Sequence, residues 1–221
     1  MTTTVITGAN RGIGLELAKQ CQARGDHVIA VVREASDELS NAGIEIHDGV
    51  DVTDDGLVNQ LAAALEGRDI DILINNAGIL LARENIDDLN WDGIRQQFEA
   101  NTLGPMRVSR ALLPNMKEGA KIAIVSSRVG SIADNTSGGR YGYRISKVAV
   151  NMAGVCMAHD LRERGIAVVL LHPGYVRTGL TGMNGEIDPD ESARGLIARI
   201  DETTMDRTGT FWHANGTELP W

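Results

Sequence analysis

Short apolar runs alternate with longer helix-like stretches along nearly the whole chain, and this alternation restricts the fold more than any other feature. Strand-like runs fall at residues 3–7, 27–32, 44–48, 70–75, 121–126, 166–171 and 210–213. Helix-like stretches lie between them at 13–24, 56–66, 91–116, 148–164 and 192–200. Several strand-like runs are unbroken Val, Ile and Leu, as a parallel strand buried on both faces requires. Gly25 after Arg24 and Gly165 after Arg164 stand where a left-handed residue closes a helix before the next strand. The order predicts right-handed crossovers and a doubly wound parallel α/β sheet, Rossmann-like, with about seven strands. Ligands of such a sheet bind in the crevice outside the carboxyl ends of its strands.

The 221 residues suit a single domain spanning 1–221, long enough to fold without disulfide or metal staples. Lys and Arg total 21 against 30 Asp and Glu, a net charge of −9 that disfavours a nucleic-acid partner. Two Phe, three Trp and three Tyr are too few for a base-stacking platform. The chain starts Met1-Thr2-Thr3-Thr4 without a basic-then-apolar leader, and its longest apolar run, 166–171, is far short of a membrane span. Cys21 continues the apolar face of Ile13 and Leu17, so a buried, inert thiol and a cytoplasmic location are expected. His27, His47, His159, His172 and His213 show no metal-ligand spacing, and Asp51, Asp54 and Asp55 read as a strand end followed by a helix cap. No metal is expected.

Glycine is abundant, with 25 residues, and three glycines punctuate the first strand-to-helix junction, Thr7-Gly8-Ala9-Asn10-Arg11-Gly12-Ile13-Gly14. Gly8 permits a tight reversal, Gly12 lets a pyrophosphate approach the backbone, and Gly14 lets the helix pack against the strand. The amides and the positive dipole end of the following helix suit a phosphate, although a tight turn without a ligand uses the same residues. The next strand ends Ala30-Val31-Val32-Arg33 and lacks the carboxylate that binds an NAD ribose hydroxyl. Arg33, with Arg11, is placed to bind a 2′-phosphate, which favours NADPH.

Tyr143 and Lys147 are four residues apart and share one face of a helix, where an ammonium can lower a phenol pKa below its ordinary value near 10. In isolation the pair is as consistent with a surface tyrosine beside a surface lysine. Upstream, Ile122 to Ser127 reads as a strand delivering a serine hydroxyl to the sheet edge, suited to hydrogen-bond a carbonyl while Tyr143 donates a proton. Leu73-Ile74-Asn75-Asn76-Ala77-Gly78 ends another strand with two amides able to orient neighbouring loops or a ribose.

Together with Asp51-Val52, Asn101 and Pro173-Gly174-Tyr175-Val176-Arg177-Thr178, these stretches resemble the short-chain dehydrogenase/reductase family along nearly the whole chain. Residues 130–140 and the ending Gly216-Thr217-Glu218-Leu219-Pro220-Trp221 resemble the C-factor/sniffer group of small carbonyl reductases within it. The resemblance implies NADPH-dependent, reversible reduction of a ketone or aldehyde. Tyr143 would be the acid/base, Lys147 would hold the nicotinamide ribose, Ser127 would polarise the carbonyl, and Asn101 would hold a water linking Lys147 to solvent. Asp51 and Val52 would meet the adenine, Asn76 the adenosine ribose, and Val176 and Thr178 the carboxamide. Gly8, Asn10, Arg11, Gly12, Ile13, Gly14, Ala77, Gly78, Pro173 and Gly174 complete the implied cofactor site. Ser127 lies sixteen residues before Tyr143 and Ser131 twelve, against about thirteen in the family. A three-residue insertion reconciles Ser127, which also sits at the strand end and is the preferred candidate.

Two other functions fit parts of the pattern. Arg128, Arg140, Arg144 and Arg177 near the mouth would suit an acidic carrier protein and a 3-oxoacyl thioester substrate. The C-factor resemblance would suit a cofactor-binding sensor with incidental turnover. Residues 179–192 read as a short lid over an open pocket for a small-molecule carbonyl. The stretches 91–116 and 148–164 could pair two or four copies, or the chain could stand alone.

Overall fold

The computed structural model describes residues 1–81 and 83–221. Its strands are β1 (Thr3–Thr7), β2 (His27–Val31), β3 (Glu45–His47), β4 (Ile72–Asn75), β5 (Lys121–Val125), β6 (Ala167–His172) and β7 (Thr210–His213). They form one parallel seven-stranded sheet in the order β3-β2-β1-β4-β5-β6-β7, the expected doubly wound, Rossmann-like arrangement. The helices are α1 (Gly12–Ala23), α2 (Asp37–Ser40), α3 (Asp55–Ala64), α4 (Trp91–Phe98), α5 (Gly104–Leu112), α6 (Tyr141–Asp160) and α7 (Pro189–Asp201).

The unbroken apolar runs arise because each strand serves two cores. Val5, Leu73, Ile122 and Val168 lie on neighbouring strands in register and pack against Leu61, Val108 and Val150 of α3, α5 and α6. The adjacent residues Ile6, Ile74, Ala123 and Val169 point the other way, onto Leu17 and Cys21 of α1 and Leu196 of α7. Alternation of side-chain direction along a strand therefore leaves no polar position in its centre. Cys21 is fully buried, and burial pushes its thiol up to about 12, which matches the inert role expected for it.

Several helical boundaries differ from the sequence reading: α2 is not among the expected helices, α6 ends at Asp160 rather than 164, and α7 starts at Pro189 rather than 192. The stretch 91–116 is not one helix: a π-helical turn, Glu99–Leu103, separates α4 from α5, and a short 3₁₀ turn, Leu113–Asn115, follows. Within the π turn the Asn101 Nδ2 donates to Ser146 Oγ at 3.0 Å, and the Thr102 hydroxyl donates to the Ser146 carbonyl at 2.8 Å. The extra residue in the turn lets both side chains reach α6. Helix α6 also begins earlier than the apolar pattern suggests, at Tyr141, because the buried Glu84 carboxylate accepts the Gly142 N–H at 3.0 Å. Among the described residues no helix is long and apolar enough to cross a membrane.

Strand order reverses between β1 and β4, so the loops after these two strands diverge and leave a crevice at the carboxyl edge. The site sits there.

Candidate active site

The turn after β1 is built for close approach. Gly8 (φ +68°) and Gly12 (φ +55°) take left-handed backbone conformations, and a Cβ on Gly14 would stand 2.2 Å from the Gly8 carbonyl oxygen. The first turn of α1 carries no acidic side chain, and Arg11 at its N-cap makes no side-chain capping bond. Asp54 and Asn90, by contrast, cap α3 and α4. The leading N–H groups of α1 are therefore left for an anionic group in the crevice. The β1 turn is tied to the β4 turn: Thr7 Oγ1 accepts the N–H groups of Asn76 and Ala77, both at 3.1 Å. Asn76 Nδ2 donates to the carbonyls of Thr7 and Gly8, each at 3.1 Å. Its donors thus orient the neighbouring loop, and its Oδ1 is left to accept from a ribose hydroxyl, so both roles expected of it are compatible with the geometry.

Between these loops lies a cleft of about 650 Å³. Gly8, Asn10, Arg11, Gly12, Ile13, Gly14, Arg33, Asp51, Val52, Asn76, Ala77, Gly78, Tyr143, Lys147, Pro173 and Thr178 all line it. Asn101, Ser127 and Val176 are buried beside its walls, and Gly174 packs against Ile187 and His213. Sequence reasoning missed Val31, Val50 and Thr53 on one wall and Arg95, Glu99 and Leu180 on the other. Glu99 lies two residues before Asn101, within the π turn, the one local signal that could have found it.

The end of β2 is less bare of carboxylate than its own sequence indicates. Asp51 Oδ2 comes within 3.8 Å of Arg33 Nη1. Burial works to raise the Asp51 carboxyl, but the N–H and hydroxyl of Thr53 and the Arg33 charge hold it below its ordinary 3.8. The Arg33 side chain is 67% exposed, so this long pair is weak and leaves the guanidinium free to turn toward a ligand phosphate.

At the other end of the cleft, Lys147 is buried and donates from Nζ to the Val125 carbonyl at 2.9 Å. The same Nζ lies 5.6 Å from the centroid of the Tyr143 ring and about 4 Å from where a Cβ on Gly78 would be. Burial brings the ammonium down to about 8. It pushes the Tyr143 phenol up to about 12, with the neighbouring Ser127 hydroxyl and the Arg140 charge pulling the other way. The expected lowering of the phenol by Lys147 is therefore not met. Nζ is turned onto the Val125 carbonyl and the ring face, and desolvation of both groups prevails. A protonated phenol beside a serine hydroxyl is nonetheless a competent proton donor to a carbonyl oxygen.

Ser127, in extended backbone after β5, accepts the Val129 N–H at 3.4 Å and adjoins the phenol. Ser131 is buried with its Oγ accepting the Asp134 N–H at 3.1 Å, a role within its own loop. The Asn101 side chain is largely committed: both Nδ2 donors are used and one lone pair of Oδ1 is left for a water. Its Oδ1 accepts the Ile79 N–H at 2.7 Å, while Nδ2 serves both Ile79 O and Ser146 Oγ. Among the described residues no three His, Cys, Asp or Glu side chains are arranged to hold a metal ion.

Comparison with known proteins fits this geometry. The family model of the short chain dehydrogenases matches residues 2–191. A 1-hydroxy-2-glutathionyl-2-methyl-3-butene dehydrogenase of Rhodococcus sp. is 45% identical over 100% of both chains. The carbonyl reductase Sniffer of D. melanogaster superposes with a TM-score of 0.93 at 30% identity, covering 100% of both chains. An NADPH-bound carbonyl reductase from chicken fatty liver superposes with a TM-score of 0.91 at 29% identity, covering 100% of this chain and 99% of that one.

Proposed function

Because the chain belongs to the short chain dehydrogenase family, we propose that it is an NADP(H)-dependent oxidoreductase that interconverts a ketone or aldehyde and its alcohol. The observation that carries this reading is the half-buried Tyr143 phenol, beside Ser127 and over Lys147, in a cleft that also holds an uncapped helix start and Arg33. The chicken liver relative, crystallised with NADPH, supports the choice of cofactor. The bound nicotinamide supplies the hydride.

The chain's own residues supply position and a proton. The Gly8–Gly14 turn and the leading amides of α1 would receive the pyrophosphate, and Arg33 with Arg11 a 2′-phosphate. Tyr143 gives its Oη proton to the substrate oxygen as charge develops there, and Ser127 donates a second hydrogen bond to that oxygen. Lys147 holds positive charge beneath the tyrosine ring and offers its remaining N–H groups to the cofactor ribose. The loop from Gly179 up to the start of α7 at Pro189, which includes a 3₁₀ turn at Gly179–Thr181, acts as a small lid, shorter than the expected 179–192, and Leu180 forms its cleft-facing edge. We read residues 1–221 as one cofactor-binding domain. The Rhodococcus relative is named for a 1-hydroxy, glutathionyl-bearing substrate, so the oxidative direction on conjugated alcohols belongs in the same screen.

The direct test follows NADPH absorbance over a panel of aldehydes, ketones, dicarbonyls and quinones. The expected result is turnover of several members with NADPH at least about tenfold preferred over NADH, each tenfold being about 1.4 kcal/mol of discrimination. Tight NADPH binding without oxidation by any member would favour a sensor instead.

Two substitutions refine the assignment. Arg33→Asp should weaken NADPH by about tenfold or more and improve NADH, since it exchanges a phosphate-binding guanidinium for a carboxylate able to bind a ribose hydroxyl. Equal use of both cofactors by the parent would contradict the premise. Ser127→Ala should lower kcat by about 10²-fold, as loss of one donor to a developing oxyanion does elsewhere. If Ser131→Ala has that effect and Ser127→Ala does not, the serine assignment reverses.

A further inference from the structure

Three guanidinium groups converge on one tight turn beside the phenol. The turn is Gly138-Gly139-Arg140, in which all three residues are left-handed, with φ of 56°, 64° and 53°. For the two glycines this is unstrained, but for arginine it is an unfavourable conformation, and such strain concentrates where a side chain must be held at a site. A Cβ on Gly139 would lie 3.2 Å from Nε and 3.4 Å from Nη2 of Arg83, so that guanidinium rests against the turn. Arg144 holds the turn from the other side. Its Nε donates to the Gly139 carbonyl at 3.1 Å, Nη1 to the Val129 carbonyl at 3.1 Å, and Nη2 to Ser137 Oγ at 2.9 Å.

The cluster lacks counter-ions. Among the described residues no carboxylate lies within ion-pair distance of Arg83, Arg140 or Arg144. Two other arginines expected near the mouth are neutralised: Arg128 pairs with Asp134 and Arg177 with Asp188, each at 2.7 Å. Glu84, the nearest acid in the chain, is buried and directs its carboxylate to the Gly142 N–H, while its carbonyl accepts the Arg140 N–H at 3.0 Å. Arg140 and Arg144 are four residues apart, a spacing at which like charges repel. That repulsion is felt: burial, then Arg140 and Arg83, hold Arg144 below its ordinary range. Three unneutralised cations are thus kept together in a chain whose net charge is −9. Arg140 is the N-cap of α6, three residues before Tyr143.

We propose that Arg83, Arg140 and Arg144 form a carboxylate-binding subsite at the start of α6, near Tyr143, so that preferred carbonyl substrates carry a carboxylate remote from the reacting carbon. The inference rests on the oxidoreductase reading of the cleft. Planar guanidiniums match a carboxylate in paired hydrogen bonds, whereas the acidic remainder of the surface repels a large polyanion.

A matched pair of aldehydes tests it: 4-carboxybenzaldehyde against methyl 4-formylbenzoate, with NADPH as reductant. The parent should reduce the acid with kcat/KM about tenfold above the ester, and raising salt from about 50 to about 500 mM should narrow that gap. Arg83→Gln should lower the acid-to-ester ratio about tenfold through KM. Arg140→Gly, which removes a guanidinium while suiting the left-handed turn, should do the same. An acid reduced no better than the ester, or variants that lower both substrates equally, would overturn the subsite. Should neither aldehyde consume NADPH, the oxidoreductase reading is decided by the wider carbonyl panel, and the subsite is judged separately by calorimetric titration with terephthalate. Saturable binding weakened about tenfold in Arg83→Gln supports it; no binding by the parent rejects it.

Discussion

Tyr143→Phe is expected to lower turnover by about 10³-fold while leaving NADPH affinity within about threefold of the parent. The substitution removes one oxygen and nothing else. The ring that Lys147 underlies is retained, and so are the glycine turn and the uncapped start of α1 that would receive the phosphates. Only the group that donates a proton as charge builds on the substrate oxygen is lost, so the effect belongs in kcat and not in cofactor binding. The pH profile supplies an independent check. With the phenol held near 12 by burial, the proton donor is present throughout the neutral range. Reduction by the parent should therefore show no loss below about pH 8, where Lys147 begins to lose its charge. Steady-state rates with fluorescence titration of NADPH measure both quantities, and a Phe variant with near-parental kcat would remove the tyrosine from the mechanism.

The sheet was readable from sequence because its signal is local. Val5 and Ile6 are neighbours facing two different cores, so both must be apolar, and the same holds for Leu73 and Ile74 or Val168 and Val169. The motif residues were readable for a related reason: Gly8, Gly12 and Gly14 answer to backbone geometry within one turn, and Tyr143 and Lys147 share a helix face. What escaped depends on partners distant in sequence. The start of α6 is set by Glu84, and the break between α4 and α5 by bonds from Asn101 and Thr102 to Ser146. The Arg33 environment includes a carboxylate from the loop after β3, and Asn76 is turned onto the carbonyls of Thr7 and Gly8. The phenol pKa was misjudged because spacing along a helix places Lys147 near the ring but says nothing of how dry the pocket is. Burial decides the sign there.

Lys147→Met should make the protein more stable and less active at once. An ammonium whose pKa falls from 10.5 to about 8 on folding is held in the native state at an energetic disadvantage of about 3 kcal/mol, at about 1.4 kcal/mol per tenfold. Below pH 8 the lysine is charged in both states, and that disadvantage is present in full. Between about pH 8 and 10 the folded chain releases the proton while the unfolded chain keeps it, so the parent's stability should rise with pH across that window. Tyr143 works in the opposite sense above pH 10, where the unfolded phenol ionises and the folded one, held near 12, does not. Methionine fills a similar volume without charge and forfeits the hydrogen bond to the Val125 carbonyl, a loss of about 1 kcal/mol. The net expectation at pH 7 is a gain of about 2 kcal/mol, or about 4–8 °C in Tm for a chain of this length. Turnover should fall by about 10²-fold or more, since positive charge beneath the phenol is lost with the ammonium. Thermal unfolding of parent and variant from pH 7 to 10 reads the trade directly: the parent's rise should be absent in Lys147→Met. A variant that is less stable at pH 7 and keeps the rise would mean that the buried ammonium is fully compensated by its surroundings, and that the strain assigned to this site lies elsewhere.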